Sequence, residues 1–209
     1  IFIDHEGRLI PMSFVLGMLA ADVVRRHSGG KIAVDVRAGL VVKELVEEAG
    51  GELVIFPSWV QYLKFAMHDD PKIVFAGEIS GHFIFKDFLS IDDGIYAGLR
   101  FLALSETAGF REELQKLKKK YFELPELNIP CPEKKSSRIL QQITEFYRNN
   151  PENQVHVVDG VTDLGRDFRL NIRESITEPF LRLNLETHNE SRASIVVEQI
   201  ENLSEKFKR

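Results

Sequence analysis

Between residues 32 and 76 the chain alternates short β-rich runs with helical runs, and this alternation narrows the possible folds more than any other feature. Residues 32–36, 53–56 and 73–76 read as strands. Residues 40–49 and 59–67 read as the helices between them, with Gly50-Gly51 ending the first. Strands joined through helices by short connections form a parallel sheet wrapped by helices. Upstream, Pro11 opens a further helix carrying Phe14, Met18, Ala21 and Val24 at helical spacing, and Gly29-Gly30 stops it. Residues 1–3 and 8–10 read as short extended pieces around the turn Asp4-His5-Glu6-Gly7, with His5 as a turn residue.

The pattern then changes. Residues 83–85 form a brief strand, and Asp92-Asp93-Gly94 reads as the cap of a long apolar helix whose Ile95, Leu99, Leu102 and Ala103 share a face. Gly109 ends it, and a polar helix covers residues 111–121. The basic run Lys116 to Lys120 reads as its solvated last turn, favoured by the helix dipole. Pro125, Pro130 and Pro132 then mark a linker running into an extended segment. Beyond it the order is helix (136–147), strands (155–158, 168–172, 180–186) and helix (193–207). Consecutive strands between two helices indicate an α+β domain with a mixed or antiparallel sheet. The boundary falls near Phe122.

Composition excludes several classes. A chain of 209 residues, 44% hydrophobic, can bury a core without metal or disulfide staples. Net charge is −5 and the Lys and Arg residues are dispersed, so no basic stripe points to nucleic acid. No stretch is long enough to span a bilayer, and no signal peptide is evident. Cys131, the single cysteine, stands between Pro130 and Pro132 and reads as an inert thiol, which fits a reducing cytoplasm. The chain opens on Ile1-Phe2-Ile3, a strand entered midway, so a piece of a longer protein is expected.

Three constellations can carry chemistry. Gly77-Glu78-Ile79-Ser80-Gly81-His82 follows the strand at 73–76, at the edge where open α/β sheets bind ligands. A locally extended loop would point Glu78, Ser80 and His82 the same way, and the three together can read hydroxyls and pass a proton. The alternative is a turn in which Ser80 caps and His82 is satisfied. The second is Arg173-Glu174-Ser175-Ile176-Thr177-Glu178-Pro179 between two strands. Its arginine fork, hydroxyls and backbone N–H groups suit a phosphate; the alternative is a polar hairpin with an Arg173–Glu178 ion pair. The third is Arg37, which ends the strand at 32–36 on the same edge as Glu78, or simply caps the sheet. No Walker-type loop, Rossmann glycine fingerprint or nucleophile elbow is present.

These segments resemble, in order, the phosphohexomutases of the phosphomannomutase/phosphoglucomutase group. GEISGHFIFKD is similar to that family's sugar-binding loop, SIDDGIYAGLRFLAL to the helix after it, DVRAG to the strand end that gives a basic residue to the ligand, and RESITEP to the phosphate-binding loop. The resemblance implies the third and fourth of four domains: a three-layer mixed α/β domain (1–122) followed by a small α+β domain (123–209), its sheet flanked by helices. It implies substrate contacts from Arg37, Lys64, Glu78, Ser80, His82, Arg173, Ser175, Ile176 and Thr177, with His82 as the catalytic proton carrier. It also implies a full-length cytoplasmic parent that interconverts hexose 1- and 6-phosphates of mannose or glucose. That parent would use a phosphoserine, Mg²⁺ and a hexose 1,6-bisphosphate activator, with the phosphoserine and metal loop in missing N-terminal domains. The isolated chain would be inactive.

Two residues depart from the family pattern. Trp59-Val60 stands where many relatives carry Gly-His, and Ile176 where Asn or Gly is usual. The departures leave open a non-catalytic relative that only grips sugar phosphates. A structural or interaction domain with no ligand is a third reading.

Overall fold

The computed structural model describes residues 1–131, 135–149, 154–165, 167–175 and 178–208. The chain divides into two units, Ile1–Lys119 and Lys120–Arg209.

In the first unit, Ile3 and Leu9 form an isolated antiparallel bridge. The Asp4 carboxylate ties the turn between them by accepting from the backbone N–H groups of Glu6 and Arg8. The chain continues as α1 (Met12–Arg26), β1 (Lys31–Asp35), α2 (Leu40–Glu48), β2 (Glu52–Phe56), α3 (Val60–Asp69), β3 (Ile73–Gly77), β4 (Phe83–Phe85), α4 (Gly94–Ser105) and α5 (Phe110–Lys120). The sheet order is β2-β1-β3-β4. β1 pairs in parallel with both β2 and β3, and β4 runs antiparallel to β3.

Side chains alternate across a strand, and that alternation divides the core in two. Ala33, Ala76 and Ile84 pack with Leu63 and Ala66 of α3, while Ile32, Val34 and Phe75 are buried on the opposite side. There α1 packs against α2, β3 and α4. Helices therefore cover both faces of the sheet, giving the expected three layers. All three parallel strands end at one edge, and the residues after β1, β2 and β3 begin there: Arg37, Trp59 and Glu78.

α4 differs from a simple amphipathic reading. Ile95, Leu99 and Leu102 do share a face, but it is exposed; α4 buries Ala97 and Phe101 instead. The cap also divides differently. Asp93 caps α4, its Oδ1 accepting from the backbone N–H groups of Ile95 and Tyr96 at 2.8 Å each, and Asp92 is spent elsewhere.

The second unit runs β5 (Phe122–Glu123), β6 (Leu127–Pro130), α6 (Ser136–Arg148), β7 (Val155–His156), β8 (Val161–Leu164), β9 (Phe168–Glu174), β10 (Phe180–Thr187) and α7 (Glu190–Lys208). Its strands are antiparallel in the order β5-β10-β9-β8-β7, and β6 also pairs with β10. The extended segment after Pro125 thus becomes a sheet strand, and β8 is a strand the sequence reading did not foresee. One face of the sheet presents Leu170, Ile172, Leu181, Leu183 and Leu185 to Ile139 and Ile143 of α6 and to Val196 and Ile200 of α7. By alternation the other face carries Arg169, Asn171 and Arg173 on β9, opposite Glu186, Asn184 and Arg182 on β10. Cys131 is buried, its thiol donating to the Ile129 carbonyl at 3.5 Å.

Candidate functional site

The carboxyl edge of the first unit holds a polar cluster that begins with Asp35, the last residue of β1. Its side chain is fully buried. The Arg37 guanidinium folds back onto this carboxylate through Nε and Nη2, and the Arg37 backbone N–H donates to Asp35 Oδ1 at 3.1 Å. Burial pushes the Asp35 carboxyl up; the Arg37 charge pulls it down, and the Glu78 charge pushes it up again. Arg37 Nη2 also reaches Glu78 Oε2 at 3.3 Å and Ser80 Oγ at 3.4 Å. Ser80 Oγ donates to Glu78 Oε2 at 2.7 Å. Glu78 is 4% exposed, and its second oxygen, Oε1, is buried without a hydrogen-bond partner among the described residues. An acceptor in that state is short of a donor, since buried polar groups are otherwise nearly always paired.

Gly77 lets this edge close. A Cβ there would lie 2.5 Å from Leu16 Cδ1 and 3.1 Å from Phe83 Cδ1. The loop after it is not extended. Gly81 has φ +96°, its N–H bonds to the Glu78 carbonyl at 3.0 Å, and the Glu78 N–H bonds to the His82 carbonyl at 3.0 Å. This is a tight turn, so the alternation expected for an extended loop does not hold. Glu78 and Ser80 come together on Arg37, while His82 meets Asp92, with Nδ1 and Oδ2 2.7 Å apart. Asp92 is fixed in turn by the Phe83 N–H on its Oδ1 at 3.2 Å. A carboxylate at Nδ1 favours the tautomer with its proton there, which leaves Nε2 as the basic atom. His82 is half exposed.

Lys64 lies half-buried on α3, and its side chain makes no hydrogen bond or ion pair among the described residues. Trp59, at the start of α3, is 59% exposed and meets Tyr62 edge-on at 5.6 Å.

In the second unit Arg173 is the next-to-last residue of β9, directly opposite Arg182 on β10. Both converge on Glu126. Arg173 Nη2 donates to Oε2 at 3.1 Å, Arg182 Nη1 to Oε1 at 3.4 Å, and Asn184 Nδ2 to Oε2 at 3.1 Å. The anion that pairs Arg173 is therefore Glu126 and not Glu178. The Nε atoms of both arginines and Ser175 Oγ are buried with no partner among the described residues. The Ser175 N–H is tied to the Phe180 carbonyl at 3.0 Å, which fixes the loop's entry. Ile176 and Thr177 lie outside the described residues.

The sequence reading singled out neither Asp92 as a partner for His82, nor Glu126, Arg182 and Asn184. Local signal for Arg182 existed, since a β9–β10 hairpin puts one β10 residue across from Arg173. For Glu126, remote in sequence and in a segment read as linker, there was none. Among the described residues no group of three or more His, Cys, Asp or Glu can hold a metal ion. Among the described residues no helix is long and apolar enough to cross a membrane.

Comparison with known proteins accounts for this pairing of units. Residues 13–124 match the family model for phosphoglucomutase/phosphomannomutase, alpha/beta/alpha domain III, and residues 126–203 match that for the C-terminal domain. The chain belongs to the phosphoglucomutase/phosphomannomutase family. It is 30% identical over 208 residues to a phosphomannomutase of Methanocaldococcus jannaschii, covering 98% of this chain and 44% of the relative. It is 31% identical over 193 residues to a protein named phosphohexose mutases in Xanthomonas campestris, covering 91% and 42%. A solved phosphoglucomutase/phosphomannomutase family protein of Burkholderia thailandensis shares the fold, with a TM-score of 0.83 at 24% identity over 99% of this chain and 44% of that one. The chain thus spans less than half the length of the relatives it matches.

Proposed function

We propose that this chain is the sugar- and phosphate-gripping portion of a mutase that interconverts hexose 1-phosphate and hexose 6-phosphate. Glu78 and Ser80 hold sugar hydroxyls, with Arg37 fixing the carboxylate that reads them. Arg173 and Ser175, joined by Arg182 and by Ile176 and Thr177 of the loop, hold the phosphate that is not reacting. Lys64, whose side chain has no partner among the described residues, is a cation available to a sugar phosphate, and His82 carries a proton on Nε2. The observation that carries this reading is the orphaned Glu78 Oε1, an acceptor that a sugar hydroxyl would satisfy.

The whole reaction needs more than this chain. In the parent, a phosphoserine gives its phosphoryl group to a hexose monophosphate hydroxyl. The resulting 1,6-bisphosphate turns around and returns its other phosphoryl group to the serine. Mg²⁺, held outside this chain, would neutralise charge on the moving group, and hexose 1,6-bisphosphate would serve as activator. The residues here contribute orientation: gripping the remote phosphate helps place the reacting end. The buried thiol Cys131 is compatible with a cytoplasmic setting.

A coupled assay on the full-length parent, with Mg²⁺ and a bisphosphate activator, tests this reading. Turnover of glucose or mannose 1-phosphate is expected, and none from the 209-residue chain alone. Absence of turnover by the parent on both sugars would favour the binding-only alternative that the departures at Trp59-Val60 and Ile176 leave open. Mutase turnover by a clean preparation of this chain alone would refute the division of labour.

A further inference from the structure

Two arginines directly opposite one another on neighbouring strands repel, and such like-charge pairs destabilise a sheet. Arg173 and Arg182 hold that register. What makes it tolerable is Glu126, which reaches both guanidinium groups from the segment before β6. Asn184, two residues after Arg182 on the same face of β10, bonds to the same carboxylate and fixes its orientation. Arg173 and Glu126 are 13% and 31% exposed, so water screens this contact only in part.

We infer that Glu126 is a positioning residue of the phosphate site: it holds Arg173 and Arg182 side by side so that both meet one phosphate. The inference rests on the phosphate-gripping role proposed above for this loop. Glu126 takes one Nη atom from each arginine and leaves both Nε atoms without a partner among the described residues. Each fork therefore keeps N–H donors in reserve. Cross-strand side chains start only about 5 Å apart, a spacing at which two forks can take different oxygens of one phosphate. Ser175, two residues beyond Arg173, adds a hydroxyl that is likewise unspent.

Charge and positioning predict opposite outcomes here. A carboxylate beside an anion site repels the anion, so by charge alone Glu126→Gln would tighten phosphate binding. If Glu126 positions the arginines, the same change loosens the pair and weakens binding.

Calorimetric titration of the chain with inorganic phosphate and with glucose 6-phosphate separates the two. Expected for Glu126→Gln is weakening of roughly fivefold or more with both ligands, from loss of charge-assisted bonds that align the forks. Glu126→Asp keeps the charge but shortens the reach, and weakens binding too. The effect of Glu126→Gln shrinks when Arg182 is already Ala, because the pair to be aligned is gone. Tighter or unchanged binding by Glu126→Gln overturns the inference. If that variant fails to melt cooperatively, Asn184→Ala, which removes only a bond to Glu126, decides: weakening supports positioning, and unchanged or tighter binding overturns it. A wild-type chain that binds neither ligand, or an Arg173→Ala variant that binds as wild type, removes the phosphate-site reading itself. Failure of the Glu126 variants alone leaves that reading standing.

Discussion

Replacing Asp163 by asparagine should stabilise the second unit at neutral pH and leave it nearly unchanged in acid. Asp163 pairs in register with Leu170 of β9, whose side chain faces the helix-covered core, so the carboxyl faces it as well. It is fully buried, and no cation pairs with it among the described residues. Burial pushes it from 3.8 up to about 6, opposed by the backbone N–H of Gln154. Burial and the Asp163 charge together push the Tyr147 hydroxyl up, with Arg192 opposing. A carboxyl whose pKa is raised by folding supports the fold fully below its unfolded value. It withdraws that support as pH climbs through the folded value, here between about 4 and 6. The rise from 3.8 to about 6 is roughly two units at about 1.4 kcal/mol each, so the ionised form costs up to about 3 kcal/mol. Partial hydration of the charged form trims the expected gain to about 1–3 kcal/mol. Asparagine has the shape of the protonated acid and does not ionise. Melts followed by circular dichroism from pH 4 to pH 7.5 should show the variant and wild type converging at the acid end. They should separate as pH rises from about 4 to 6 and stay apart above that, by about 4–8 °C for each kcal/mol in a unit of this size. An offset that is the same at both ends, or a variant less stable at neutral pH, would refute the reasoning.

Two further substitutions probe the first unit. Gly77→Ala forces a methyl to within 2.5 Å of Leu16 Cδ1 beside the Glu78 turn and should lower stability by about 1–3 kcal/mol in urea titration; a neutral result would contradict the packing described. Gly98→Ala inside α4 meets nothing within 4 Å and should raise stability by about 0.5–1 kcal/mol, seen as a higher melting midpoint.

Local pattern made the β1–α2–β2–α3–β3 succession legible, because each element's buried residues repeat at its own period. β8 escaped notice for a physical reason. Asp163 stands at a core-facing position where the alternation calls for an apolar residue, and tertiary context overrode the pattern. α4 shows a second limit: spacing gathers Ile95, Leu99 and Leu102 on one face but does not say whether that face points inward or out. At the candidate site, Glu78, Ser80 and Arg37 were readable from their places after β3 and β1. Their meeting on one carboxylate was not, since it depends on the turn that Gly81 makes. Glu126 is 47 residues from Arg173 and 56 from Arg182, and only strand pairing brings them together.

The central claim is that the Glu78 turn meets sugar hydroxyls and that the Arg173 loop meets phosphate. Amide shift mapping of the chain tests it most directly. Glucose 6-phosphate should move the signals of both Gly81 and Ser175, inorganic phosphate only that of Ser175, and Glu78→Gln should abolish the Gly81 response alone. A sugar phosphate that perturbs the same amides as bare phosphate, leaving the Glu78 turn untouched, would contradict the account.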